Sequence, residues 1–294
     1  AKLTGKEIIF EKVDCCDREA LRSVYKKYSF SAVIHFAAYK AVGESVEKPL
    51  PYYENNLNSL INVMLLGKEF GVNNLVFSSS CTVYGQPDVL PATEMTPRKT
   101  AQSPYGKSKQ MAEEIIEDTV FADKNFRAIS LRYFNPIGAH PSLMLGEVPN
   151  GIPNNLLPYL TQTTIGIREC LSVFGDDYNT PDGSAVRDYI DVVDLAKAHV
   201  KAMEYLFTQK GTERCEYFNI GTGRGVSVLQ LISVFEKVNH LKLNYKITPR
   251  RAGDIEAVWA DASLAEEKLG WKADVSLEDT LRTVWKWEQK LNHK

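Results

Sequence analysis

Through the first half of the chain, short apolar and β-branched runs alternate with stretches whose apolar positions recur every three or four residues. The runs at 8–13, 32–37, 75–79 and Arg127–Tyr133 read as strands, and 17–28, 51–70 and 104–123 read as helices between them. Strands separated by helices predict a doubly wound parallel sheet, because each crossover lays a helix on one sheet face. From Asn135 the texture turns Pro- and Gly-rich and loop-like as far as Asn155. Beyond that, 192–207 reads as a helix, 217–220 as a strand, Val228–Asn239 as a helix and 277–291 as a terminal helix carrying Trp285 and Trp287. No internal repeat or low-complexity segment interrupts the pattern. The expected fold is α/β, a doubly wound parallel sheet, in one large domain or with a smaller C-terminal α/β lobe.

Composition narrows the class. A chain of 294 residues has ample material for a core. Hydrophobic content of 44%, charged content of 24% and net charge −2 describe an ordinary globule. No basic stripe invites a nucleic acid or an anionic membrane. No apolar stretch nears the ~18 residues of a membrane span, and the opening Ala1-Lys-Leu-Thr-Gly-Lys does not read as a secretory leader. The five cysteines contain no Cys-x2-Cys pair, so they read as free thiols of a cytoplasmic protein, and no metal site is expected. Cys81, with no basic neighbour in sequence, reads as a packed thiol.

The candidate chemistry lies in Ser103-Pro-Tyr105-Gly-Lys-Ser-Lys109, downstream of the strand-like run ending at Ser80. Tyr105 and Lys109 stand four apart, one helical turn on the same face. A free phenol is a poor base at neutral pH, and a nearby ammonium favours the phenolate. Alone the pair is weak, since one Tyr-x3-Lys arises by chance among fourteen tyrosines and could be a solvated helix face. Its context strengthens it. A Ser-Pro helix start precedes the pair, and Ser80 ends an apolar strand, where doubly wound folds place their chemistry.

A rival glycine pattern, Gly221-Thr-Gly-Arg-Gly225, follows a strand and precedes a helix. Its Gly-x-Gly-x-Gly spacing lacks the helix-packing glycine of a dinucleotide fingerprint. A tight strand-to-helix turn, with Ser227 as N-cap, is the stronger reading over a phosphate contact.

Six motifs occur in order: Val33-Ile-His-Phe-Ala-Ala-Tyr-Lys-Ala-Val-Gly-Glu-Ser45, Phe77-Ser-Ser-Ser-Cys-Thr-Val-Tyr-Gly85, Tyr105-Gly-Lys-Ser-Lys109, Leu131-Arg-Tyr-Phe-Asn-Pro-Ile-Gly-Ala-His-Pro141, Val186-Arg-Asp-Tyr-Ile190 and Arg250-Arg-Ala-Gly-Asp254. With them the chain resembles, over essentially all its length, the extended short-chain dehydrogenase/reductases and within them the UDP-galactose 4-epimerase family. The resemblance implies a Rossmann-like NAD domain (1–134 and 185–221) and a nucleotide-sugar lobe (135–184 and 222–294). The implied reaction interconverts UDP-galactose and UDP-glucose through a transient 4-keto sugar, with NAD as cofactor. The family's Gly-x2-Gly-x2-Gly turn is absent, since no two glycines stand three residues apart. The chain therefore reads as a fragment opening at the third sheet strand, lacking N-terminal strands and unable by itself to retain NAD.

Carried over residue by residue, the resemblance makes Tyr105 the proton shuttle. Lys109 holds the nicotinamide ribose and lowers the phenol's pKa, and Ser80 hydrogen-bonds O4 of the sugar. Asp14 matches an aspartate on the adenine amino group, a role that can coexist with capping the following helix, and Cys15 adjoins it. Phe36, Ala37, Ala38 and Lys40 match the segment along the pyrophosphate and riboses, Asn55 a cofactor-contacting asparagine, and Tyr133 and Phe134 the nicotinamide side. His35 reads as a core imidazole. For the nucleotide sugar, Asn135, Asn155 and Leu156 match positions on the hexose and diphosphate, and Ser172 and Phe174 the uracil edge and face. Arg187 and Arg251 match a diphosphate clamp, Asp254 a ribose contact, and Val258 the residue bordering the sugar's 2-substituent. Planar guanidinium forks suit paired phosphate oxygens. A homodimer through 51–70 and 104–123 is implied as well. The nearest rival is a 4,6-dehydratase or a reductase on the same fold. The dehydratase needs carboxyls just after the strand-4 hydroxyl, where Cys81-Thr82 supplies none. A non-catalytic binding relative would have lost Ser80, Tyr105 or Lys109, and all three are kept.

Overall fold

The computed structural model describes residues 2–208 and 213–292. Helix α1 (Arg18–Lys27) opens at Asp17, whose carboxylate accepts from the N–H groups of Glu19 and Ala20, filling donors that a helix start leaves open. The chain continues through β1 (Val33–His35), α2 (Val42–Glu47), α3 (Pro49–Phe70), β2 (Asn74–Ser80), a 3-10 turn at Cys81–Tyr84, α4 (Pro104–Ala122) and β3 (Arg127–Tyr133). Then come β4 (Asn135–Ile137), α5 (Leu156–Thr164), β5 (Leu171–Phe174), β6 (Val186–Arg187), β7 (Tyr189–Asp191) and α6 (Val192–Thr208). The final elements are β8 (Cys215–Ile220), β9 (Val226–Ser227), α7 (Val228–Asn239), β10 (Tyr245–Thr248), β11 (Ala257–Val258), α8 (Ser263–Leu269) and α9 (Leu277–Asn292).

The main sheet runs β1-β2-β3-β8, parallel throughout. Alternation along β2 sends Leu75 and Phe77 to one face and Val76 to the other. The first pair packs with Leu60 and Met64 of α3 and Ile116 of α4. Val76 packs with Ile129, Leu131, Phe218 and the α6 residues Leu195, Ala198 and Ala202. Burial on both faces explains the continuous apolar strands. Ala265, Leu269 and Trp271 also join that second cluster, so part of the 222–294 stretch packs on the main sheet. A separate core joins α5, β5, α7 and α9 through Leu160, Val173, Phe235 and Leu281. Around it lie small sheets pairing β5 with β10, β4 with β7, and β6 with both β9 and β11.

Several expectations need correction. Residues 8–13 form no strand, and Ile8, Ile9 and Phe10 are exposed. An apolar run becomes a strand only when a neighbour takes its backbone groups, and among the described residues β1 pairs with β2 alone. β1 itself covers three residues rather than 32–37. The loop-like stretch after Asn135 begins with β4, paired to β7. Asp14 does not cap the first helix; Asp17 does, while Asp14 Oδ1 accepts from Cys16 N at 2.8 Å. The Gly221–Gly225 segment is a turn wrapped on Asp188, which accepts from Thr222 N at 2.8 Å and Gly223 N at 3.0 Å. A Cβ at Gly221 would lie 2.6 Å from Asp188 Oδ2, and Gly223 has φ +77°. These glycines thus serve a carboxylate inside the protein. Ser227 caps α7, with Gln230 completing a capping box.

Candidate active site

Parallel register brings the carboxyl ends of the strands together and sets Ser80 opposite Tyr133. After Ser80 the chain turns, and Ser80 Oγ accepts from Thr82 N at 3.2 Å and Thr82 Oγ1 at 3.0 Å. Ser103 caps α4 by accepting from Gly106 N at 3.2 Å, which places Tyr105 in the first turn over Ser80. Lys109, one turn on, is buried and donates to the Ser78 carbonyl at 2.6 Å. Its ammonium lies 4.7 Å from the Phe77 ring centroid and 5.9 Å from that of Tyr105. The three predicted catalytic residues therefore meet at one point.

The electrostatics differ from expectation. Burial pushes the Tyr105 phenol up to about 12, opposed by its hydrogen bond with Ser80. Burial also pulls Lys109 down to about 8, opposed by the charge of Glu113. The net shift of the phenol is upward because desolvation is its largest cause. Cys81, pushed up to about 12 by burial, is the packed thiol its sequence neighbours foretold. His35 is a core imidazole stacked on Phe77 at 6.1 Å and pulled down to about 4, mainly by burial.

On the predicted cofactor side, Phe36 is exposed after β1, 4.7 Å from the His199 ring centroid, and Ala37 and Ala38 follow it. Tyr133 ends β3 and is hydrogen-bonded to His199 Nε2. His199 Nδ1 lies 2.8 Å from the Leu195 carbonyl. A carbonyl can only accept, so Nδ1 carries the proton and the Tyr133 hydroxyl donates to Nε2. Phe134 is buried with Cys81, Val83, Tyr84 and Val258. Asn55 lies in α3, where its carbonyl is 3.5 Å from Cys16 Sγ. The carbonyls of Cys15 and Cys16 accept from Asn62, so Asp14, Cys15 and Asn55 share one corner. An ammonium has three donors and Ser78 takes one from Lys109, which fits a ribose diol beside Tyr105. The residues present thus fit the nicotinamide end of NAD, while the sequence holds no glycine fingerprint for its pyrophosphate.

The predicted substrate residues form two groups. Arg251 binds Asp254 through two bonds of 3.1 and 2.9 Å and lies 5.3 Å from the Phe174 ring. Arg187 Nη2 is 4.0 Å from the same carboxylate and donates to the Ile255 carbonyl at 2.8 Å. Ser172 and Phe174 sit two apart on β5, on its more exposed side. Elsewhere, Asn155 Nδ2 donates to Glu147 at 2.7 Å, and Lys40 lies 3.8 Å from that carboxylate. Asn135 N donates to the Asp188 carbonyl at 2.8 Å. Leu156 packs against the α5–α9 core. Val258 lies opposite Arg187 in register and is 1% exposed, so it is wall rather than open floor.

Sequence reading missed the supports. Asn56 is buried, accepts from Tyr39 N at 2.7 Å and donates to Tyr39 O and Ser108 Oγ at 3.0 Å each, pinning the segment after β1 to α3 and α4. Asp188, His199 and Glu147 were also missed. Only Asp188 lay inside a recognised motif; the others act through contacts distant in sequence.

A parallel sheet carrying serine, tyrosine and lysine at its carboxyl end defines an extended short-chain dehydrogenase/reductase. The family model described as GDP-mannose 4,6 dehydratase matches residues 2–284. Human UDP-glucose 4-epimerase is 52% identical over 288 residues, covering 98% of this chain and 82% of that protein. The Bifidobacterium longum UDP-glucose 4-epimerase, solved with NAD+ and UDP, is 46% identical and superposes with a TM-score of 0.95 over 98% of this chain and 85% of that one. The Campylobacter jejuni UDP-Glc/GlcNAc 4-epimerase is 34% identical, with a TM-score of 0.78 over 96% of this chain and 84% of that one. The chain belongs to the UDP-glucose 4-epimerase family.

Proposed function

We propose that the protein interconverts UDP-galactose and UDP-glucose by inversion at C4, with NAD as cofactor. The observation that carries this reading is the convergence of Ser80, Tyr105 and Lys109 at the carboxyl end of β2, Tyr105 hydrogen-bonded to Ser80 and Lys109 to the Ser78 carbonyl. When bound, NAD supplies a hydride acceptor at C4 and returns the hydride. Tyr105 takes the O4 proton and gives it back, and Ser80 hydrogen-bonds O4 and passes the proton on. A phenol raised by burial needs positive charge nearby to ionise, and Lys109 provides it one turn away. Arg187 and Arg251 hold the diphosphate, Asp254 the ribose, Phe174 the uracil face, and Ser172 its edge. Asn135, Asn155 and Leu156 border the hexose and diphosphate. Asp14, Cys15, Asn55, Phe36, Ala37, Ala38, Lys40, Tyr133 and Phe134 line the cofactor.

The division into 1–134 with 185–221 and 135–184 with 222–294 is part of this reading, as are a cytoplasmic location and a homodimer through α3 and α4. No described helix is long and apolar enough to cross a membrane, and Leu65 and Phe121 are exposed on those two helices. Proton NMR of UDP-galactose incubated in D2O with NAD and the chain completed by a glycine-rich N-terminal segment of the family tests the reaction. Conversion to UDP-glucose with C4 still bearing protium is expected, since the hydride never meets solvent. Loss of the 6-hydroxyl would instead mark a dehydratase, and no conversion would leave a binding relative.

A further inference from the structure

Beneath the catalytic trio lies a buried polar network that the reaction as described does not use. Glu113, fully buried, follows Lys109 by one helical turn on α4. Its carboxylate accepts from Arg132 Nε at 2.9 Å and Nη2 at 2.8 Å, from Ser79 Oγ at 2.6 Å and from Arg98 Nη1 at 3.3 Å. Arg132, itself 2% exposed, also donates to Tyr84 Oη at 3.0 Å, and Tyr84 donates to Asn219 at 2.6 Å. The members adjoin the site in a regular way. Ser79 precedes Ser80, Arg132 precedes Tyr133, and Glu113 sits one turn from Lys109.

We propose that Glu113 is a positioning residue for the reaction: clamped by Arg132, Arg98 and Ser79, it fixes α4 against β2 and β3 and keeps the Lys109 ammonium charged beside Tyr105. A buried ion pair contributes little net stability compared with an apolar pair of the same shape, so stability alone is a weak reason for this one. Lys109 is faced by Tyr105 and Glu113 from its own helix, by His35 from β1, and by the Phe77 ring and Ser78 carbonyl from β2. Of these His35 is neutral at pH 7 and Tyr105 is protonated, so Glu113 supplies the compensating charge. Burial already draws Lys109 down to about 8. Without Glu113 the one charge that opposes this shift is lost, and burial acts on the ammonium unopposed.

The proposal rests on the role given to Lys109, and its test reads the charge of Lys109 rather than turnover. Lysine labelled with 13C at Cε is titrated by NMR in the parent and in Glu113→Gln, with the resonance assigned by its loss in Lys109→Met. The Lys109 midpoint should fall by about one pH unit or more in Glu113→Gln, the scale of one neighbouring charge. In an active preparation kcat at neutral pH should fall about tenfold while KM stays within about threefold. A folded Glu113→Gln with an unmoved midpoint would overturn the proposal. Should that variant not fold, Glu113→Gln with Arg132→Met removes both charges of that ion pair while Arg98 keeps Glu117, and its Lys109 midpoint should still lie below the parent's; equality would overturn the proposal as well. A loss of turnover with Tyr105→Phe alone, and no Lys109 shift here, would leave the functional reading standing and remove this one.

Discussion

The two halves of the site are built on opposite principles. At the carboxyl end of the main sheet, Lys109 is 4% exposed and its carbonyl partner, Ser78, is fixed in a central strand. At the nucleotide clamp, Arg251 has a side chain 37% exposed, and its guanidinium is occupied by Asp254 three residues away. The first half is held by the fold before any ligand arrives, as positioning of reacting groups requires. The second is held by contacts that a diphosphate can replace, one charge-assisted bond for another. Substitutions at the sheet end should therefore act on turnover and folding, and those at the clamp on affinity.

The largest effect expected is on turnover. Tyr105→Phe removes the proton-carrying hydroxyl and should lower kcat by at least ~10²-fold, since losing a positioned general base costs ~10²–10⁴, while UDP binding measured by calorimetry stays nearly unchanged. Near-parental turnover would remove Tyr105 from the mechanism.

Burial at the sheet end also carries a pH signature. His35 is drawn from 6.5 to about 4, mainly by burial, so between those values the unfolded chain binds more protons than the folded one. Stability contributed there is present above pH 6.5 and is lost as pH falls toward 4, by on the order of 3 kcal/mol. Urea unfolding at a series of pH values should show this loss in the parent and not in His35→Leu. A parallel loss in both would place the acid sensitivity elsewhere.

How far these features were legible depends on their range along the chain. Helices such as α4 and α7 announce themselves through periodicity and through Ser103 and Ser227 at their starts, all within a few residues. Residues 8–13 misled because an apolar run specifies a tendency, whereas a strand needs a partner that local sequence does not supply. Strands of two residues, such as β6, β9 and β11, are too short to show any period. The same division runs through the site. Tyr105 and Lys109 are one turn apart and were readable, but His199 meets Tyr133 across 66 residues and Arg132 meets Glu113 across 19. Glu113 stands four residues beyond Lys109 on the buried helix face, and Arg132 and Asp188 lie inside quoted motifs, but their partners are not legible from those positions.

At the clamp the comparison predicts the reverse behaviour. Arg251→Ala removes a guanidinium suited to phosphate, and hydrogen bonds to charged groups are worth about 1.5–3 kcal/mol each. The Kd for UDP should rise roughly tenfold to a hundredfold. Thermal stability should hardly change, because a partly exposed pair such as Arg251–Asp254 contributes about 0–1 kcal/mol. A fall in melting temperature without loss of UDP affinity would reverse the assignment and make the pair structural.

The smallest effect concerns which sugar is accepted, and it lies where the two halves meet. Val258 pairs in register with Arg187 of the clamp, yet packs against Cys81, Val83 and Phe134 beside the catalytic serine. Valine is smaller than an aromatic ring, so an N-acetyl group would have less side chain to displace here than beside a tyrosine. Its branched side chain is stiff at χ1, and at 1% exposure it cannot swing into open space. Acceptance should therefore be partial, with UDP-galactose preferred and UDP-N-acetylgalactosamine slow. A gap of one or two methylenes shifts discrimination by about 1–3 kcal/mol, so Val258→Tyr should lower kcat/KM for the N-acetylated sugar relative to UDP-galactose by about tenfold. Overpacking against Phe134 would instead destabilise the fold by about 1–3 kcal/mol and slow both sugars equally. The ratio of the two kcat/KM values separates these outcomes: a changed ratio places Val258 on the sugar, and an unchanged ratio leaves it as core.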